Sequence, residues 1–474
     1  MRGGAHIRPM EDLTTGSITR HLLKTTSFML VMMVFQTLYF LIDLYWVGRL
    51  GTAAVAGVGI AGNISFIVLA MTQMLGVGTT TVVSHASGRK DRDDAQHLFN
   101  QSQALSCVTG VVFLLIAMTG RMGYARAMGA DAETTRLAGD YLKWFIPAMA
   151  LQFPFASMGA ALRGTGNFKP GMIVASATVI INMLLAPFLI FGWVTGRAYG
   201  VAGAAMSTLI SIVIGIVWMA TYFTSKDAFL HFSFSQWRPH LGQWKKILSI
   251  GLPAGFEFAM MALYQFIVYT VARPFGAASQ AGFGIGMRVI QAGFMPVVAL
   301  GFSVAPVAGQ NFGAKLGQRV KATFKDGVRL ALAWQIFFII LVQLAAAGMV
   351  RVFSKDPAVI AVGDDYLKII SWSFIASGPL FVASSMFQAM GNTVPSLIAS
   401  GTRMAILAIP VFLLARLPAF ELRWVWWLSL ATAYLQLGLA LWMLRREFRR
   451  RLTFGVEAPP DAGVMKPAPE TVAR

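Results

Sequence analysis

The pentapeptide "DYLKW" at 140–144 returns almost unchanged as "DYLKI" at 365–369, 225 positions further on. With that offset held fixed, Gly51 falls on Gly276, Ala56-Gly57 on Ala281-Gly282 and Gly59 on Gly284. Leu75-Gly76 falls on Leu300-Gly301, Gly88 on Gly313, Gly166-Asn167 on Gly391-Asn392 and Pro170 on Pro395. The register does not slip anywhere in this stretch, so the chain reads as two duplicated halves.

Each half is strongly apolar. Of 474 residues, 56% are hydrophobic and only 12% charged, about half the charged share of an ordinary soluble chain. The apolar residues lie in long blocks such as "FMLVMMVFQTLYFLIDLYWVG" (28–48), "CVTGVVFLLIAMTG" (107–120), "LAWQIFFIILVQLAAAGMV" (332–350) and "WVWWLSLATAYLQLGLALWML" (424–444). Crossing a hydrocarbon core takes about 20 helical residues. Backbone groups in lipid must also bond within their own segment, and no block alternates as a barrel strand would. The expectation is an all-α polytopic protein with spans near 22–47, 52–82, 98–120, 139–162, 171–195, 200–224, 246–271, 277–306, 328–350, 366–389, 396–416 and 424–444. Six spans per half return the chain to its starting side, so the two copies share one orientation. They are related by a pseudo-two-fold axis along the membrane normal, an arrangement found in transporters that alternate access around a central cavity.

The predicted organisation is a cytoplasmic segment (1–21), a six-helix N-lobe (22–224), a cytoplasmic linker (225–245), a six-helix C-lobe (246–444) and a basic tail (445–474). The tail's Pro- and Ala-rich end, 457–474, is expected to be disordered. The start shows no cleavable leader pattern. The net charge of +19 does not point to nucleic acid, because the basic residues cluster in "GRKDRDD" (88–94), "WKK" (244–246), "KLGQRVKATFK" (315–325) and "RREFRRR" (445–451), all on the side that holds the termini. That asymmetry places both termini in the cytoplasm, with the basic tail against an anionic lipid surface. The single cysteine, Cys107, leaves no internal disulfide and no multi-cysteine metal site. Enzyme motifs such as HExxH, GxSxG and Walker A are missing, so energy is expected from an ion gradient.

An ionisable group inside a span costs about 2.5–3.5 kcal/mol on insertion scales and marks a functional position. Two acids lie well within apolar spans, Asp43 in the first and Glu257 in the seventh. Asp43 follows Gln36 and Tyr39 on one helical face. It suits loading a proton, pairing with a cationic substrate or holding sodium; the structural alternative is a cap on a helix break near "VGRLG". Glu257 shares a face with Met261 and Tyr264, with Gln265 beside them, and reads as part of a substrate cavity. Its alternative is an ion pair with Arg288 or Arg403. Met29, Met32, Met33, Met260 and Met261 offer a soft wall, although packing explains most methionines. His85 and His97 flank a basic loop and read as surface residues.

Several stretches carry a family resemblance. "DLYWVGRLGTAAVAGVGIAGNI" (43–64) resembles the first-to-second-span pattern of the multidrug and toxic compound extrusion (MATE) family. "FGAASQAGFGIGMRV" (275–289) and "GFSVAPVAGQNFGAKLGQRV" (301–320) resemble its second-half counterpart, and "GAALRGTGNFKP" (159–170) is similar to its Arg-Gly-x-Gly stretch. Together the resemblance covers about 16–450. It implies a V-shaped, monomeric bacterial inner-membrane exporter of organic cations or amphipathic drugs, without cofactor, driven by protons or sodium. It also implies an N-lobe cation site at Asp43, Tyr39, Asn182 and Thr208. The family's fifth-span acid is replaced by Ala186, a weaker cage for sodium that favours proton coupling. Sodium-coupled relatives carry their seventh-span acid where Met261 stands and a tenth-span acid near Ser377-Gly378, where none exists. A flippase for a lipid-linked precursor or polysaccharide shares this fold and is the rival reading.

Overall fold

The computed structural model describes residues 10–193, 196–225, 228–418 and 420–454. The expected disorder at 457–474 lies outside them. Among the described residues all regular structure is helical, in thirteen α-helices with three short 3-10 turns. The N-terminal half holds α1 (Ile18–Gly48), α2 (Thr52–Gly88), α3 (Arg92–Met128), α4 (Ala132–Gly164), α5 (Phe168–Phe191) and α6 (Val201–Thr224). The second half holds α7 (Leu241–Ala272), α8 (Ala277–Gly313), α9 (Gly317–Arg351), α10 (Pro357–Ile370), α11 (Phe374–Ala389), α12 (Val394–Leu414) and α13 (Leu422–Arg451). A 3-10 turn at Ser371–Ser373 joins α10 to α11, and together they make one span, giving the twelve expected. The helices outrun the apolar blocks. Asp91 and Asp131 start α3 and α4 by accepting bonds from the N–H groups of Asp94 and Thr134, a capping chemistry that sits outside the hydrophobic pattern. Large apolar side chains stay exposed around the bundle, Leu344 at 83%; in a chain with twelve such helices this is a lipid-facing surface.

The repeat is written into the backbone as well as the letters. Left-handed residues recur as offset pairs: Gly51 with Gly276, Lys90 with Lys315, and Gly166 with Gly391. Gly51 and Gly276 stand at φ 107° and 88° immediately ahead of α2 and α8, a conformation glycine adopts without a Cβ penalty. Lys90 and Lys315 are the non-glycine residues of positive φ among those described. Within the N-lobe, α4 packs between α2, α3 and α6; within the C-lobe, α8 packs on α9, α10 and α11. An aromatic trio anchors the second core, with Trp426 stacked on Phe283 at 5.4 Å and edge-on to Tyr366 at 4.7 Å.

The lobes meet where α1 and α2 pack against α7 and α8. Toward the end that bears both termini, the contact is backbone on backbone. A Cβ at Gly88 would collide with the carbonyl of Gln310, and one at Gly313 with the carbonyl of His85. These are offset pairs crossed on themselves, so α2 and α8 intersect on the pseudo-axis. His85 is therefore no surface residue: its Nε2 lies 2.6 Å from the Ala389 carbonyl across the seam. Thr81 donates to the Gln388 carbonyl beside it, at 3.0 Å. His97 packs edge-on against His240 instead. Past Ala70 and Gly255, which still touch, the faces carrying Gln36 and Met261 are exposed, and a cleft opens at the opposite end.

Two segments outside the spans brace this arrangement. Residues 10–17 form a strap laid over the seam. Leu13, fully buried, donates its N–H to Gln310 Oε1 and accepts at its carbonyl from Asn311 Nδ2. Arg319 donates to the carbonyls of Leu13, Thr15 and Gly16. On the N-lobe side, Asp12 pairs with Lys90 at 3.5 Å and Glu11 with Lys24 at 2.7 Å. Burial alone would raise the Asp12 carboxyl, but hydrogen bonds from Thr14 and the charge of Lys90 outweigh it and hold its pKa below the usual value. The linker between the lobes is held by α3. Asn100 and Gln101, both buried, donate to the carbonyls of His231 and Arg238 and accept from the N–H groups of Ser233 and His240.

Candidate functional site

In the N-lobe, α1 runs unbroken past Asp43 to Gly48, so Asp43 does not cap a helix break. Four of the expected residues gather in one pocket between α1, α5 and α6. The Tyr39 hydroxyl lies 3.3 Å from Thr208 Oγ1, and Asn182 Nδ2 donates to Thr208 Oγ1 at 3.1 Å and Ser207 Oγ at 3.4 Å. Asp43 stands one turn beyond Tyr39, within electrostatic reach of it. Ala186, on α5 one turn after Asn182, is fully buried. Gln36 does not join them and is exposed.

The pocket holds unpaired acceptors. Asp43 Oδ1 and Asn182 Oδ1 are both buried and have no hydrogen-bond partner among the described residues. Two buried orphan acceptors destabilise the site unless something positive arrives, and a proton on the carboxylate or a small hard cation meets that need. No cluster of three or more His, Cys, Asp or Glu side chains occurs among the described residues, so a single acid carries the charge. Two members were missed in the sequence. Ser207 adjoins a residue already singled out, and Tyr141, buried on α4 within reach of both Asp43 and Tyr39, lies inside the repeated pentapeptide itself.

The offset that pairs the halves carries Tyr39 onto Tyr264 and Tyr141 onto Tyr366, and the structure respects it. The Tyr264 hydroxyl donates to Ser429 on α13 at 3.3 Å, as Tyr39 bonds to Thr208 on α6. Val268 takes the place of Asp43, however, and the charge in this second pocket is Arg403. Its guanidinium lies 5.4 Å from the Tyr264 ring centre and donates to Gln436 Oε1 at 3.4 Å. The C-lobe thus keeps the tyrosines and inverts the charge.

Glu257 sits elsewhere on α7. Both its oxygens accept from Ser384 Oγ on α11, at 2.9 and 3.1 Å, and Ser396 on α12 donates to Ser384 in turn. Among the described residues neither Arg288 nor Arg403 forms an ion pair with it. The expected face divides: Met261 is 50% exposed, Tyr264 turns into the lobe and Gln265 is partly buried without a side-chain bond among the described residues.

Two duplicated helical lobes, closed at one end around a cleft and each holding an isolated ionisable group, define a membrane transporter and not an enzyme. The sequence profile of the MatE family matches residues 29–188 and 253–414, one segment per lobe, and the chain belongs to that family. Among curated relatives, it is 25% identical over 399 residues to the probable multidrug resistance protein YoeA of Bacillus subtilis, covering 83% of this chain and 86% of that one. It is 26% identical to the probable multidrug resistance protein NorM of Thermotoga maritima (80% and 81% covered) and 26% to the multidrug export protein MepA of Staphylococcus aureus (90% and 93%). In fold it is similar to an outward-facing multidrug resistance MATE transporter of the MOP superfamily, with a TM-score of 0.85, 22% identity and 95% and 99% of the chains covered. A MOP superfamily transporter from Pyrococcus furiosus gives the same TM-score and identity, with 96% and 100% covered.

Proposed function

We propose that this chain is a multidrug efflux transporter of the bacterial inner membrane that works as a monomer. It exchanges cationic or amphipathic organic compounds for protons by alternating access. The family and the names of its relatives support export of drugs. The pair of orphan acceptor oxygens at Asp43 and Asn182 carries the coupling reading. With one carboxylate and Ala186 where a second would stand, the pocket is complete when Asp43 takes a proton, whereas sodium favours several oxygen ligands. Asp43, Tyr39, Asn182 and Thr208 are assigned to the coupling site, with Tyr141 and Ser207 completing its wall. Gln36, Glu257, Met261, Tyr264 and Gln265 are assigned to the substrate path. With both termini cytoplasmic, the seam seals the cytoplasmic side and the cleft faces outward.

The rival reading, a flippase for a lipid-linked anionic precursor, needs a cleft lined with cations, whereas the ionisable residues well inside spans balance, Arg288 and Arg403 against Asp43 and Glu257. Proteoliposomes loaded with a cationic fluorescent drug decide between these readings. Movement under an imposed pH gradient without sodium supports proton antiport. Movement only when a sodium gradient is added overturns the coupling argument, and silence under both favours the flippase.

A further inference from the structure

Where the cleft meets the closed seam, three polar side chains converge with nothing to bond. Arg163 comes from the end of α4, Gln73 from α2 and Gln388 from α11. They line a small pocket with room for about one water-sized sphere, partly open to solvent, with Phe302 across it. Among the described residues, no carboxylate lies within ion-pair distance of Arg163 and no acceptor takes any of its five donors; its only recorded partner is the Phe302 ring, 6.0 Å from the guanidinium carbon. The side-chain amides of Gln73 and Gln388 are equally uncommitted; the bond at Gln388 uses its backbone carbonyl.

The position of this pocket is as informative as its contents. Arg163 and Gln388 are related by the same offset that relates the lobes, as are Val77 and Phe302, and Thr80 and Ala305, all of which line it. The pocket therefore sits on the pseudo-two-fold axis, with one wall from each lobe. A guanidinium without a counter-charge where two lobes close on each other is costly. Arg163 brings a planar fork of donors that matches a carboxylate, and the two amides add donors from flanking helices.

We infer that this on-axis pocket binds a small monoanion, either the carboxylate head of a transported compound reaching the cleft floor or a free ion such as chloride. Because Arg163 belongs to one lobe and Gln388 to the other, the bound anion spans the seam. Rocking that opens the seam parts its ligands, so the anion favours the closed arrangement by its difference in affinity for the two.

Equilibrium dialysis of the purified full-length protein against radiolabelled chloride or benzoate, in a low-salt zwitterionic buffer, tests this without requiring transport. Failure here is thereby separable from failure of the export reading. The expected result is one saturable site per chain whose affinity falls at least about tenfold in Arg163→Gln, the size of a lost charge-assisted hydrogen bond. Gln388→Leu, which leaves the backbone bond to Thr81 in place, weakens it as well, and Arg163→Lys retains part of it and controls for folding. Competition between the ions identifies a free-ion site; benzoate binding that chloride does not displace identifies a carboxylate site on the substrate path. Equal binding by wild type and Arg163→Gln, or no saturable binding of either ion, overturns the inference.

Discussion

At the scale of single residues, the proposed coupling turns on Asp43. Its Oδ1 already lacks a partner, so exchanging the carboxylate for an amide removes the titratable proton without breaking a bond the fold relies on. Asp43→Asn is expected to reduce gradient-driven export to the level of empty liposomes. Its melting temperature should stay within about 3 °C of wild type, the shift that roughly 1 kcal/mol produces in a large domain; full export by the mutant would sink the assignment. Glu257 behaves differently because Ser384 and Ser396 hold it between three helices. Glu257→Gln is expected to shift drug affinities or range by several-fold while pH-driven transport persists, as read from a panel of substrates in the same vesicles. Ala186→Asp supplies the second carboxylate beside Asn182 and is expected to make export respond to sodium; equal rates with and without sodium would show that the missing acid does not set ion choice. Much of this pocket was legible from the isolation of Asp43 in an apolar span and from the resemblance that marks Asn182 and Thr208. Tyr141 was not, because burial beside another helix leaves no signature in a pentapeptide. The serine cradle of Glu257 was not either, since hydroxyls are too frequent in such helices for spacing alone to select two of them.

At the scale of elements, the strap at 10–17 was invisible in the sequence. A stretch of polar residues ahead of a first span reads as a solvated lead-in, and the letters do not announce that Leu13 is fully buried between lobes. Leu13→Ala is expected to weaken the closed seam by about 2–5 kcal/mol, the cost of truncating a buried leucine. A reporter thiol, Ser84→Cys in a Cys107→Ser background, lies in the seam against Gly309 and should become more reactive when Leu13 is truncated. The strap also has a pH dependence of defined sign. Asp12 has a lowered pKa in the folded chain, so its contribution is fully present above the ordinary aspartate range and is lost as pH falls through the lowered value. Hydrogen exchange at the Leu13 amide, corrected for intrinsic rate, should speed up on acidification. In Asp12→Asn it should be fast throughout; a pH-independent wild-type amide would count against the strap as a titrating clamp. His85 is the parallel case in α2: its neighbours in sequence are basic, but its partner is a carbonyl more than three hundred positions away.

At the scale of the whole molecule, the fold was almost entirely readable. Apolar blocks of membrane-spanning length gave the twelve helices, and the fixed offset gave the two lobes, because glycines at crossings and left-handed turns are constrained wherever the same backbone is built twice. The hydrophobic pattern reports only the apolar part of each helix, so the polar overhangs of α2 and α3 and the early start of α10 went unseen. Sequence also held no sign of which end would be closed, since that depends on how two finished lobes meet. The crossing of α2 and α8 gives a direct test. Gly88→Leu places a side chain against the Gln310 carbonyl, and overpacking of this kind costs about 1–3 kcal/mol. Export should fall, and the Ser84→Cys reporter should react from the side of the termini whether or not drug is present; unchanged labelling would mean the crossing tolerates separation.

The axial pocket also bears on why the two halves occupy one chain. Were identical half-length proteins to assemble as a symmetric pair, each would bring its own copy of the residue at the Arg163 position to the axis. Two guanidinium groups would then meet in the same small pocket, a repulsion that opposes the pairing. Fusion lifts that constraint: one half keeps the arginine, and the other carries glutamine at the matching place. The same freedom lets one lobe hold Asp43 where its twin has Val268. Covalent linkage of a duplicated gene thus allows a lone charge on a symmetry axis, which an assembly of equal halves is denied by geometry.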